Sequence, residues 1–484
     1  MTARHKLTGV CPPARAAVLA ALLRRRPAPV WLVVAEEPRA AEQLAEDIVF
    51  FHEASPDAPP LEARVFPEAL PDSRAMREAF LASSDRLAVL SRLRGVRRLT
   101  TFDPRQAPAL LVTTTPAALL QPVPALAELD GRELVLKRGG RQPYQALLDQ
   151  LRAFDYDCEA VCEAPGQYAV RGGIIDVYPV TAARPYRLDF LGDEIEDLRA
   201  LDPVTQRSGE PVEQITLPAS PRLPAAASAT GLAEYLGPLT QLVFLEPAAL
   251  EESINLLADP AGGAPGAAAA LAPLLARCAA VFGVGDLDEA STLFDAAEDG
   301  ETWDTESLAH HRQYPVDALV AHERLQAEEE ARHRFLTQVA AWRRAGYAVA
   351  FALAKPGEQA HAREILQSHP DAKDLAPHFL RGAVNEGFRL TFRGAAACPE
   401  LLAGGQPDGA GRTAPVGLVL VTETELFGRQ RQRRPSLHPR AVAAPSQVDQ
   451  LLDFSELVEG DFVVHLQHGI AVYRGLAKIE TADG

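Results

Sequence analysis

Gln167–Ser208, QYAVRGGIIDVYPVTAARPYRLDFLGDEIEDLRALDPVTQRS, is the stretch whose reading decides the fold. From Tyr186 to Leu191 apolar and polar residues alternate, the period of a half-buried strand. That period puts Tyr186, Leu188 and Phe190 on one face and Arg187, Asp189 and Leu191 on the other. Gly192-Asp193 supplies a chain reversal, and Glu194 to Leu201 returns as the second arm. Upstream, Gly172-Gly173 interrupts a strand over Ile174–Tyr178, as a bulge or a close backbone approach does. The expected element is a small antiparallel sheet with arginines on its polar face and no catalytic constellation.

Val170-Arg171-Gly172-Gly173-Ile174-Ile175-Asp176-Val177-Tyr178-Pro179, Pro185 to Phe190, Asp193 to Glu196 and Asp202 to Ser208 together resemble the domain shared by UvrB and the transcription-repair coupling factors, the latter in particular. The resemblance extends, more weakly, over nearly the whole chain. It implies that Arg171, Arg187 and Leu191 fall on positions where the family contacts UvrA. Arginine on a rigid strand suits that role, because its planar fork pairs bidentately with carboxylates. At Leu191 the family often carries an aromatic, so an apolar contact is kept and ring stacking is lost.

The chain has 484 residues, a length for several domains, and 47% hydrophobic with 23% charged residues, a globular composition. No apolar run is long enough to span a bilayer, and the N-terminus is no signal peptide. The cysteines (Cys11, Cys158, Cys162, Cys278, Cys398) are scattered and odd in number, which suits a reducing cytoplasm. A net charge of −17 disfavours DNA-phosphate binding as the main task, since that needs clustered Lys and Arg. DNA is expected only through a motor, and no membrane partner is expected.

Strands at Val30–Ala35 and Ala109–Thr115 alternate with helices at Ala40–Phe51 and Asp85–Leu93, which predicts a parallel sheet. That order resembles a RecA-like domain. A helix over Tyr144–Asp155 precedes the sheet quoted above. A strand at Leu242–Leu245, a helix at Ala248–Ala258 and a strand at Ala280–Gly283 return to α/β, with Gly262–Ala270 read as a Gly/Ala loop. A helix from Val316 to Ala345 stops at Gly346, and Tyr347–Leu353, Glu358–Ser368 and Val416–Thr422 complete a further α/β unit. This unit ends in Thr422-Glu423-Thr424-Glu425-Leu426-Phe427-Gly428, which resembles a phrase of the same family.

The segment from Phe454 resembles the start of the family's RNA polymerase-interacting, CarD-like domain. A β-barrel of that kind needs roughly 55–65 residues, so the sequence reads as the N-terminal portion of a longer protein. The expected fold class is α/β multidomain. It comprises a degenerate RecA-like (P-loop-type) domain (1–125 and 219–317) and an inserted small antiparallel β/α UvrB-like domain (126–218). A further α/β spacer domain (318–428), a linker (429–452) and an incomplete SH3-like β-barrel (453–484) follow.

No G-x-x-x-x-G-K-[ST] loop occurs. Where an active RecA-like domain carries its phosphate loop stands Leu7-Thr8-Gly9-Val10-Cys11-Pro12-Pro13-Ala14-Arg15, with one glycine and two prolines that lack N–H groups. Gly382 and Gly387 have the right spacing, but Phe388-Arg389 follows. Asp193-Glu194-Ile195-Glu196 opens the return arm of a hairpin and reads as a solvated turn rather than a Mg²⁺ site. Cys158 and Cys162 with His5, or His465 and His468, have too weak a spacing for zinc, and His310-His311 reads as loop. Arg429–Arg434 lacks the interleaved aromatics of a nucleic-acid surface and reads as a basic linker.

Three readings follow. The first is a non-catalytic adaptor that recruits UvrA to stalled RNA polymerase in nucleotide excision repair, with the polymerase β subunit as second partner. The second is a CarD-like transcription regulator, and the third a UvrB-type helicase-like enzyme. The first is preferred, with no cofactor or metal in this chain; ATP and Mg²⁺ belong to the family's motor domains. The family's C-terminal domain masks the UvrA-binding face, so constitutive binding is expected of this chain, in the cytoplasm.

Overall fold

The computed structural model describes residues 2–55, 57–70, 76–129, 132–220, 229–258, 266–295, 299–312, 321–373, 375, 377–392, 415–428, 462–465 and 469–472. Expectations that fall on 259–265, 313–320, Cys398, the 429–461 segment, 466–468 (with His468) and 473–484 lie outside these residues.

The first body is a seven-stranded sheet, all parallel, in the order Asp299–Thr302, Ala3–Thr8, Ala280–Val284, Thr240–Leu245, Val30–Val34, Ala109–Thr114, Leu61–Phe66. Strands that precede residue 126 and strands that follow residue 218 thus share one sheet. Its four central strands are buried on both faces, as the strands of parallel sheets are. Trp31, Val33, Leu111, Val243 and Phe282 pack with the helices Arg15–Arg25 and Pro38–Glu53. Val30, Leu32, Val34, Val112, Leu242 and Phe244 pack on the other side with Met76–Val96, Pro247–Ala258 and Ala267–Leu275.

The expected Gly/Ala loop is corrected at its end, where Ala267–Leu275 is a helix. Alanine is the strongest helix former, and Asn255 Oδ1 accepts the Ala267 amide at 2.6 Å. Two elements near the N-terminus, Ala3–Thr8 and Arg15–Arg25, went unread because Arg4, His5 and Lys6 mask the strand's apolar pattern.

The chain leaves this body and returns along a two-stranded antiparallel stem, Glu133–Lys137 with Gln214–Pro218. Beyond the stem lies a six-stranded sheet in the order Ser208–Pro211, Glu194–Leu201, Tyr186–Leu191, Ile174–Val177, Gln167–Arg171, Asp157–Cys158. It is antiparallel except where Asp157–Cys158 runs parallel to its neighbour. Leu188, Ile175, Val177, Ile195, Leu198 and Tyr168 join the helix Tyr144–Ala153 in a core continuous with that of the first body. At 25 cal/mol per Å², each such leucine contributes about 1.5–3 kcal/mol.

The third sheet runs Asp304–Ser307, Phe388–Thr391, Gly417–Thr422, Tyr347–Leu353, His378–Arg381. The chain therefore passes from the first sheet to the third between Thr302 and Asp304. Ala348, Ala350, Ala352, Phe388, Leu418 and Leu420 belong to the same core as Arg15–Arg25, in which residues 16–23 are all buried. Gly346 takes φ +98°, the left-handed stop at the end of Ala321–Arg344. The phrase from Thr422 to Gly428 is structural. Thr422 caps a short helix, and Glu425 accepts from the Thr422 amide and hydroxyl and, with its other oxygen, from the Gly387 amide at 2.9 Å. Arg312, also buried, donates to the Glu425 carbonyl and to Glu328. Phe462–His465 and Gly469–Val472 pair as an antiparallel hairpin.

Candidate functional site

Two tight turns close the same end of the inserted sheet. Arg171 pairs with Ile174, which makes Gly172-Gly173 a two-residue hairpin turn rather than a bulge, and Gly172 sits at φ +63°. The expected close backbone approach is present: Gly173 accepts the Phe190 amide at 2.9 Å, and a Cβ on Gly173 would stand 3.2 Å from the Phe190 carbonyl. Leu191 pairs with Glu194 across Gly192-Asp193, with Gly192 at φ +66°. The bulge lies instead between Asp189 and Phe190, where the register against Glu194–Leu201 shifts.

The register gives the outer face. Directly paired residues share a side, so Ala169, Asp176, Arg187 and Arg199 form one row, and Arg171, Ile174, Asp189 and Asp197 the next. Leu191 projects beyond them at the turn, 70% exposed. Tyr186, Leu188 and Phe190 face inward, with Leu188 fully buried.

The two arginines differ. Arg171 is exposed, donates to the Ala160 carbonyl at 3.2 Å and has no carboxylate partner among the described residues. Arg187 is half-buried and forms a fork on Asp176, Nε to Oδ1 at 2.7 Å and Nη2 to Oδ2 at 2.8 Å. That hydrogen bonding holds the Arg187 guanidinium above its usual pKa, against burial, with Asp176 and Asp189 adding to the attraction. Arg199 and Arg138 both engage Asp197, so the acidic groups of this face are largely spent on its own cations.

Helix Tyr144–Ala153 braces the turn end. Tyr144 donates its hydroxyl to the Gly172 carbonyl at 2.8 Å and stacks edge-on against Phe190 at 5.2 Å. Asp193 accepts the Gln142 amide on its carbonyl and the Tyr144 amide on its side chain. Asp193 therefore fastens the turn to the helix. Sequence reasoning missed Tyr144 and Asp176. The signal for Asp176 was available, a carboxylate inside the apolar run IIDVY.

Match and geometry coincide. The family model described as the UvrB interaction domain matches residues 134–221, and the CarD-like/TRCF RID domain model matches residues 457–484. The transcription-repair-coupling factor of Myxococcus xanthus is 26% identical over 99% of this chain and 43% of its own length. That of Escherichia coli (strain K12) is 27% identical over 75% of this chain and 34% of its own. This chain is similar to the transcription-repair-coupling factors. The UvrABC system protein B of Thermus thermophilus is 32% identical over 16% of the chain and 12% of its own length. The chain spans less than half the length of these relatives.

At the other candidate place, the turn after Ala3–Thr8, every available amide is engaged. Gly9 donates to the Asp286 carbonyl, Val10 to the Gly285 carbonyl, and Cys11 to Thr305 Oγ1 at 2.7 Å. Arg15 forms an ion pair with Glu246, which also accepts the Asp286 amide. A Cβ on Gly9 would lie 2.1 Å from the Trp303 carbonyl. A phosphate cradle needs amides aimed at open space, and this turn aims them at its own chain. Among the described residues no group of three or more His, Cys, Asp or Glu is placed to hold a metal ion, and no helix is long and apolar enough to cross a membrane.

Proposed function

We propose that this chain acts as the UvrA-recruiting portion of a transcription-repair coupling factor, without catalysis or cofactor of its own. The single observation that carries the reading is the outer face of the inserted sheet. Uncompensated Arg171 and exposed Leu191 stand together there on two rigid turns, inside the segment that matches the UvrB interaction domain. Arg187 lies on the same face. Groups on pre-ordered backbone bind with little ordering cost, and arginine is among the residues enriched at interface hot spots.

The parallel-sheet body acts as a degenerate RecA-like platform, assigned to 1–125 and 219–317 although strand Asp304–Ser307 pairs in the third sheet, with 126–218 inserted and 318–428 as a supporting unit. The segment 453–484, after the 429–452 linker, opens an SH3-like contact for the RNA polymerase β subunit, supported by the second family match. The working compartment is the cytoplasm.

The test is a titration of the purified chain with UvrA, beside the double variant Arg171→Ala/Arg187→Ala, with circular dichroism on both. Binding by the wild type that weakens at least tenfold in the folded double variant supports the docking face. Absence of binding by folded wild type overturns it.

A further inference from the structure

Arg187 is held from two sides. Asp176, on the next strand and 1% exposed, takes its Nε–H and one Nη2 hydrogen, and Ser208 Oγ accepts from Nη1 at 3.3 Å. The register fixes Asp176 directly opposite Arg187, and Ser208 comes from the edge strand on the far side of Glu194–Leu201. A guanidinium has five N–H donors. After Asp176 and Ser208 are served, one hydrogen remains on each terminal nitrogen. Each of these hydrogens can donate to a carboxylate.

We propose that Asp176, with Ser208, is a positioning residue for partner recognition: it fixes the Arg187 guanidinium so that its terminal edge receives a carboxylate of the docking protein, while Arg171 supplies the net attraction. The inference rests on the reading of this sheet as the UvrA-docking face. Asp176 is too deeply buried to touch a partner, so any effect it has on docking passes through Arg187. The neutralised pair contributes geometry, and its contact depends little on ionic strength. Arg171 carries a charge with no carboxylate partner and contributes attraction that salt screens. Asp189, the other carboxylate on this face next to Arg187, adds to the local field without forming an ion pair with it.

The experiment is a double-mutant cycle in the full chain with UvrA as titrant, at low and high salt, each variant checked by circular dichroism and melting. Asp176→Asn keeps the side-chain shape and removes the charge. It is expected to weaken binding tenfold or more in the wild-type background and less than twofold in the Arg187→Ala background. A merely structural role would persist in the Arg187→Ala background, and that additive outcome overturns the proposal. Arg187→Lys keeps the charge without the fork and is expected to bind as weakly as Arg187→Ala. Wild-type affinity in Arg187→Lys, or in folded Asp176→Asn, also overturns it. Arg171→Ala is expected to flatten the salt dependence, and the charge-neutral double variant Asp176→Asn/Arg187→Ala to leave it; the reverse pattern counts against the assignment. If Asp176→Asn melts below the working temperature, Arg187→Lys decides alone. A wild type that does not bind UvrA sinks the docking reading itself and this inference with it.

Discussion

Asp176 and Glu425 are both buried carboxylates, and each is held by donors of a different kind. Asp176 faces one guanidinium. Glu425 accepts three bonds from the Thr422 amide, the Thr422 hydroxyl and the Gly387 amide, one oxygen serving two of them and the other the third. Burial pushes the Glu425 carboxyl above its usual range while these hydrogen bonds pull it back. Glu425→Gln presents an NH₂ group to at least one of these donors. The expected cost is about 1–3 kcal/mol, read as a lower melting temperature by differential scanning calorimetry. Sequence placed both residues in recognisable phrases but not their depth, which depends on strands far apart in the chain. Arg187 shows the limit most clearly. Alternation put it on the polar face, whereas its fork on Asp176 became visible only with the register between strands.

Among the elements, the hairpin Tyr186–Leu201 was the most legible, because alternation and Gly192-Asp193 agree locally. Gly172-Gly173 was less so, since a bulge and a turn leave similar glycine signals. Nothing lies within 4 Å of a Cβ built on Gly192, so Gly192→Ala suffers only from its dihedral of +66°. A cost of about 1–2 kcal/mol is expected, together with weaker UvrA binding as Leu191 is displaced. Leu191→Ala should separate the two effects, leaving stability within about 0.5 kcal/mol while weakening docking. Urea melts beside the same titration measure both. On the third sheet, Glu306 joins strand Asp304–Ser307 to Phe388–Thr391 through Arg389 and also meets His311. Burial opposes ionisation there, but the hydrogen bonds from Arg389 and His311 win and hold the carboxyl below its usual range. Its stabilising contribution is present above the unfolded carboxylate value of about 4.3 and is lost as pH falls through the folded value. Glu306→Gln should therefore flatten the acid limb of a stability-against-pH curve.

At the scale of the whole molecule, the third sheet is less a spacer than a layer of one framework. The helix Arg15–Arg25 is buried all round because sheets lie on both sides of it, and its alanines permit the close approach. An alanine run with charged ends did not announce this in sequence, since tertiary packing rather than amphipathic period places it. Leu19→Ala should cost about 2–5 kcal/mol and lower hydrogen-exchange protection in Val30–Val34 and Tyr347–Leu353 together. Loss confined to one sheet would contradict a shared core.

The stem Glu133–Lys137 with Gln214–Pro218 has a mechanical consequence. Both strands leave the body at the paired residues Glu133 and Pro218 and run outward side by side. A tug on the outer face stretches the two strands together along their length. The ladder between them is then not peeled open rung by rung. The handle can take tension while its grip stays in shape.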